Sequence, residues 1–316
     1  MTLIQGRVGC ILAADCVWNA ETTVGDGSLI NSLKRAVQKS ISNIGIEVRR
    51  LEDPYRLHVY EKLFDKQTLA RRPFYNIGAA NFKHPYWTSV DYDSDWYGRN
   101  RDIVHYDLMA IEPLPIGDGQ AHIIYTSHTI EHVTDKAVAN LFREAYRVLA
   151  PGGVCRVTTG PDAETDYRAL MAGDDDWFYW DQWYDKPEAY SSFLRAPATS
   201  APLEERWLHH VASQLAPNQV EDHKKITAAE VRALFAEKGF EGTLDYLASL
   251  VSFNPQKPGN HVSWWTHGKV ERFLRDAGFT TVYRSGYRQS VSPLMRQSNL
   301  FDSTHPQMSI YVEAIK

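Results

Sequence analysis

The chain has 316 residues, of which 43% are hydrophobic and 23% charged, and its net charge is −5. That length holds one large domain with an insertion, or two domains; the composition excludes extended disorder, and the acidic balance argues against a general nucleic-acid binder, whose phosphate partners favour a basic surface. Cys10, Cys16 and Cys155 show no metal-type spacing, which points to a reducing, cytoplasmic setting.

Taken in chain order, the first apolar run, Val8 to Ala14, is too short to span a membrane. Asp15 before Cys16 does not form a small-residue cleavage site, so no export is expected. From Ser28 onward Leu33, Val37, Ile41 and Ile44 recur at helical spacing, with Lys34, Arg35 and Lys39 on the other faces and Arg49 and Arg50 beyond. Two readings fit residues 29–50: a surface helix docked on the domain, or a basic amphipathic helix resting on anionic lipid, or on a membrane-bound partner, at the inner face of a membrane.

An alternation of strands and polar loops begins near Pro73. Phe74 to Gly78 reads as a strand entering the small-residue loop Ala79-Ala80-Asn81. Trp87 to Val90 ends at Asp91, and Ile103 to Tyr106 ends at Asp107. Each strand delivers a polar or acidic residue to its carboxyl end, where open parallel sheets bind ligands. His122 to Thr126 is a further strand and runs into Ser127-His128 and then Glu131-His132. A helix opening at Asp135 stops at Pro151-Gly152-Gly153, and Val154 to Thr158 follows as a strand. Two parallel strands joined by a crossover helix fit this segment. After about a hundred residues that break the alternation, Ser263 to Gly278 reads as a helix, and Thr280 to Tyr287 and Met308 to Ile315 as strands.

The string YTSHTIEHVTDKAVANLFREAYRVLAPGG resembles the region from the fourth to the fifth strand of class I S-adenosylmethionine (SAM) dependent methyltransferases. It is most similar to the small-molecule, type 11-like branch, which carries a Glu-His pair after strand four and Arg-Val-Leu-x-Pro-Gly-Gly before strand five. The basic leader is also similar to those of enzymes from bacterial surface-glycan loci. The resemblance implies an α/β, Rossmann-like, doubly wound and mostly parallel seven-stranded sheet. A C-terminal antiparallel hairpin and a large insertion after strand five complete that fold. On this reading residues 1–72 are an N-terminal extension, 73–160 and 262–316 form the SAM-binding core, and 161–261 shape the acceptor site.

The resemblance also implies roles for individual residues. Asn76-Ile77-Gly78-Ala79-Ala80 matches the family's Asn-Leu-Gly-Cys-Gly loop, whose glycines let the backbone approach the cofactor. Ala80 replaces the second glycine, and alanine reaches positive φ only at a cost. Asp91, thirteen residues after Gly78 and followed by Tyr92, stands where the family places the acceptor of both ribose hydroxyls. Asp107-Leu108 resembles the pair that receives adenine, and Ser127 and His128 lie near the sulfonium. The alternatives for these aspartates are turn and cap roles.

If the acceptor is an alcohol, a general base is needed. His132 is the first candidate and Asp162, after Gly160-Pro161, the second. No compact His/Asp/Glu spacing supports a metal, and His209, His210 and His223 read as surface or packing residues. From Asp162 to Glu188 nine acidic residues interleave with Trp177, Phe178, Tyr179, Trp180, Trp183 and Tyr184. Such a segment fits sugar stacking, an amine cage or an aromatic mini-core. The expectation is O-methylation of a small molecule or glycan precursor. The alternative is a catalytically silent scaffold, suggested by the altered loop. A dinucleotide-dependent dehydrogenase is disfavoured, because the loop lacks the third small residue that lets helix and strand pack closely.

Overall fold

The computed structural model describes residues 53–93, 102–178, 193–254 and 259–316. The leader helix expected at 29–50, the early apolar run and residues 179–192 of the acidic aromatic segment lie outside the described residues. Seven strands form one sheet: β1 (Phe74–Ile77), β2 (Trp87–Asp91), β3 (Ile103–His105), β4 (Ala121–Ser127), β5 (Leu149–Thr159), β6 (Thr281–Arg284) and β7 (Ile310–Ile315). Their order is β3-β2-β1-β4-β5-β7-β6. The strands β1 to β5 pair in parallel, whereas β7 runs antiparallel to both β5 and β6. The order reverses between β1 and β4, and the crevice outside the carboxyl ends of those two strands is where such sheets place a ligand. The expected Rossmann-like, doubly wound sheet with its antiparallel C-terminal pair is therefore present.

Along β4, His122 and Ser127 are half-buried and the other residues are buried, because helices cover the sheet. Among them α3 (Asp135–Val148) turns Val138, Leu141, Phe142, Ala145 and Val148 inward and is capped by the Thr134 hydroxyl. The Pro-Gly-Gly turn differs from a simple stop. Leu149 already pairs with Ala121, and the ladder resumes after an irregularity with Ile123 opposite Val154. Gly153 sits in this bulge because a Cβ there would come within 2.8 Å of the Ala150 carbonyl oxygen.

The N-terminal side of the described chain contributes α1 (Leu57–Leu63) and α2 (Lys66–Ala70). Tyr60, Phe74, Trp87 and Phe301 form a buried aromatic cluster, with the Trp87 indole N–H donating to the Tyr60 hydroxyl at 2.7 Å. On the opposite side, the insertion builds its own core around α4 (Ala163–Ala172), α5 (Leu203–Ala212) and α6 (Ala228–Leu250), the last broken at Gly239. Phe178, Trp207, Leu215 and Leu244 fill that core. Among the described residues no helix is long and apolar enough to cross a membrane.

The closing helix α7 (His267–Asp276) starts four residues later than expected, behind a Thr266 cap. Ser263 to Trp265 instead precede the helix, Ser263 in a bend and Trp265 in an isolated bridge. Trp265 bridges Asp162, and its indole, like the Ser263 hydroxyl, donates to the Ile130 carbonyl. Arg156 on β5 is fully buried, and its guanidinium reaches Asp302 and Glu313 as well as the Gly286 and Gln289 carbonyls. A buried cation needs this full set of partners, and the network ties the C-terminal segment to the sheet.

Candidate active site

A cleft of about 720 Å³ opens at the carboxyl ends of β1, β2 and β4. Its wall includes Gly78, Ala80, Asp91, Tyr92, Asp107, Leu108, His128 and His132, together with Tyr106, Met109, Thr129, Val133 and Phe253. Seven of the ten expected cofactor residues thus share one cavity with the expected base. Asn76, Ala79 and Ser127 are not on its wall; Asn76 is buried in β1, and its Oδ1 has no hydrogen-bond partner.

The floor is the loop after β1. Gly78 has φ +71°, and a Cβ there would lie 2.2 Å from the Thr129 hydroxyl, so only glycine fits. Ala80 takes φ +46°, the conformation that its side chain disfavours. Two bonds over-determine the loop: the Ala80 and Tyr92 amides donate to the two oxygens of Asp91 at 2.6 and 2.7 Å. Burial raises the Asp91 carboxyl above its ordinary range, and those amides oppose the rise. Each Asp91 oxygen retains a second lone pair, which suits a vicinal diol. Asp107 accepts from the Met109 amide at 2.8 Å, and Leu108 and Met109 then form a short apolar wall.

The other side of the cleft depends on side chains. His128 follows β4 with φ +48°, a strained backbone. Its Nε2 lies 2.9 Å from the Ser309 hydroxyl, which itself donates to the His305 carbonyl, and its Nδ1 lies 3.1 Å from Glu131 Oε1. Glu131 is buried, and its Oε2 accepts from Thr159 at 2.8 Å. Burial alone would raise its carboxyl. The neighbouring His128, with His132 and His261, reverses that and holds it at about 2.

His132 places Nδ1 3.1 Å from the Asn260 carbonyl, with its ring centroid 5.0 Å from that of His261. The contact arises because the Val262 and Ser263 amides donate to the Glu131 carbonyl where the insertion rejoins the core. Burial depresses His261 to about 3 and keeps its imidazole neutral. Sequence reading missed His261 and Phe253, since nothing local marks either as adjacent to the Glu-His pair.

Asp162 does not line the cleft. It caps α4, accepting from the Glu164 amide at 3.3 Å and the Thr165 hydroxyl at 2.8 Å, and its Oδ2 lies 3.3 Å from His267 Nδ1. Burial works to raise its carboxyl, but His267 and Thr165 prevail and lower it. Expected as the second candidate base, Asp162 is placed at the N-terminus of a helix, where a carboxylate satisfies backbone donors. His209 and His210 are packed inside the insertion, where His210 Nδ1 meets Asp166 at 2.8 Å. Trp177 also donates to Asp166, and Phe178 is core, so the described part of the aromatic segment is used in packing.

SAM fits this cleft on structural grounds. The bare Gly78 backbone, the doubly anchored Asp91 carboxylate and the apolar wall by Asp107 face one common cleft, as the ribose, adenine and methionine parts of SAM require. The family described as "Methyltransferase domain" matches residues 87–157. No curated protein matches the chain. Solved structures with similar chains include a SAM-dependent methyltransferase from Mesorhizobium loti, at 16% identity over 77% of this chain and 90% of that one, with a TM-score of 0.34. Another, from Archaeoglobus fulgidus, is 10% identical over 83% of this chain and 100% of that one, with a TM-score of 0.36. PigF with SAH is 12% identical over 92% of this chain and 67% of that one, with a TM-score of 0.32. Residues 87–157 thus match a methyltransferase domain within a Rossmann-like, doubly wound sheet, and the matched domain supports SAM as the cofactor of this cleft.

Proposed function

We propose that the protein methylates a hydroxyl oxygen of a small molecule or glycan precursor, with His132 as the general base. The observation that carries this reading is the hydrogen bond from His132 to the Asn260 carbonyl at the cleft wall. A carbonyl only accepts, so Nδ1 carries the hydrogen and the neutral ring keeps a lone pair on Nε2. That nitrogen is suited to take the proton of an acceptor hydroxyl.

On this proposal Asp91 receives the ribose hydroxyls, Gly78 and Ala80 admit the cofactor backbone, and Asp107 and Leu108 receive adenine. Tyr92 and His128 complete the cleft wall, while Asn76, Ala79 and Ser127 hold the strand ends behind it. Bound SAM would supply a methyl group on a positively charged sulfur, the S–CH₃ bond breaking to leave the neutral thioether S-adenosylhomocysteine. As the acceptor's proton passes to His132 Nε2, the oxygen becomes a stronger nucleophile towards the methyl carbon and the product ether is left uncharged. In-line approach at roughly 3 to 3.5 Å is required, so orientation supplies much of the rate. Phe253 and the return of the insertion at Asn260 wall the acceptor side.

Isothermal titration of the full chain with SAM tests cofactor binding. Product analysis with nucleotide sugars, lipid-linked glycans and polyamines then tests the acceptor. The expected outcome is SAM binding and an O-linked methyl on a hydroxylated acceptor. Methylation of amines alone would overturn the acceptor class, and no binding at millimolar SAM would favour the silent scaffold.

A further inference from the structure

Glu131, His132 and His261 each bring one ligand-capable atom within 4.8 Å of the other two. Both imidazoles are held in the way metal-binding histidines are held. His132 directs Nδ1 to the Asn260 carbonyl at 3.1 Å, and His261 directs Nδ1 to the His210 carbonyl at 2.6 Å. A backbone carbonyl fixes the tautomer, so each ring is left with Nε2 as its donor atom. The third donor is equally prepared. Glu131 Oε2 is occupied by Thr159, whereas Oε1 is buried without a hydrogen bond, His128 standing 3.1 Å away but out of alignment. Oε1 is thus a buried carboxylate oxygen with no aligned hydrogen bond, beside two oriented imidazoles, and is open to a cation.

We propose that Glu131, His132 and His261 form a three-ligand site for a borderline divalent cation such as Zn²⁺. Two nitrogens and one carboxylate oxygen suit such an ion better than Mg²⁺ or Ca²⁺, which take oxygen ligands. Three protein ligands leave at least one position open, and of the three His132 also lines the cleft. The cation would also join β4 to the returning insertion, since His261 reaches the site only through that return. It would occupy the His132 Nε2 lone pair assigned above to proton removal, so a loaded site is expected to slow methylation of a hydroxyl acceptor.

The test is isothermal titration of the chelator-treated full chain with ZnCl₂, in parallel with SAM. One equivalent should bind to the wild type and to His58→Ala, which removes an exposed histidine on α1. Saturable binding should be lost in His261→Ala and in His132→Ala. Thr159→Val, which deletes the donor to Glu131 Oε2, should weaken binding about tenfold. Circular dichroism and retained SAM binding show that each variant is folded, and SAM affinity separates this site from the cofactor assignment. Absence of a one-to-one isotherm, or one that survives in folded His261→Ala and His132→Ala, would overturn the site.

Discussion

Asp91 and Glu131 are both carboxylates at the carboxyl edge of the same sheet, held by different kinds of partner. Asp91 closes β2 and takes two amide hydrogens from the turns beside it, Ala80 and Tyr92. Glu131 follows β4 and lies among His128, His132 and His261, the last delivered from far along the chain. Their acidities move in opposite directions. Burial raises Asp91 despite the amides, so folding favours its protonated form: that contribution is present below about pH 3.8 and is lost as pH rises through the folded value. For Glu131 the histidines outweigh burial, so folding favours its ionised form. A carboxylate set by neutral local amides keeps capacity for hydroxyl donors, whereas one set by imidazoles is prepared for positive charge.

The sharpest way to separate these halves of the cleft is His132→Ala. With Asp91 and its loop untouched, SAM affinity should stay within about threefold of wild type, which corresponds to well under 1 kcal/mol. Turnover should fall by roughly 10² to 10⁴, the usual range for a lost general base. Titration and single-turnover rates measure the two separately. Equal losses in binding and turnover would show that the division between the halves is wrong.

How much of this was readable before folding follows from the same contrast. The Gly78 turn, the β2 ending at Asp91 and the strand-helix-strand from His122 to Thr159 are set by residues near one another in sequence, and their placement was legible. The fold followed, because β1 to β5 repeat one local unit. His261 was not legible: its proximity to His132 depends on Val262 and Ser263 docking on the Glu131 carbonyl, a contact across some 130 residues. The cap role of Asp162 was hidden for a related reason. A carboxylate after a strand points to a cleft or caps a helix, and only the presence of α4 decides.

The Glu131 side should also govern acid sensitivity. Its carboxyl titrates at about 2 in the folded chain against 4.5 ordinarily, so its stabilisation is complete above about pH 4.5 and disappears as pH falls towards about 2. The gap corresponds to on the order of 3 kcal/mol. Urea unfolding at stepped pH should show that loss in the wild type and a flatter profile in Glu131→Gln. An unchanged acid slope in the variant would remove Glu131 from this role.

The smallest effect is expected from Asp91→Asn, and its direction depends on the two amides. Ala80 and Tyr92 donate to different oxygens of the carboxylate, so an asparagine can accept from only one and must set its own NH₂ against the other. One loop bond is lost and one ribose acceptor is replaced by a donor, which should weaken SAM about 10- to 30-fold, or roughly 1.4 to 2 kcal/mol. The pH profile distinguishes this from a general disturbance of the loop. Because burial raises Asp91, wild-type affinity for SAM should begin to fall on acidification at a pH above the ordinary aspartate value of 3.8, as the carboxylate gains a proton. In Asp91→Asn that limb should be missing while the Glu131-dependent acid unfolding persists. Retention of the limb would place the titrating group elsewhere in the cleft and transfer the ribose role away from Asp91.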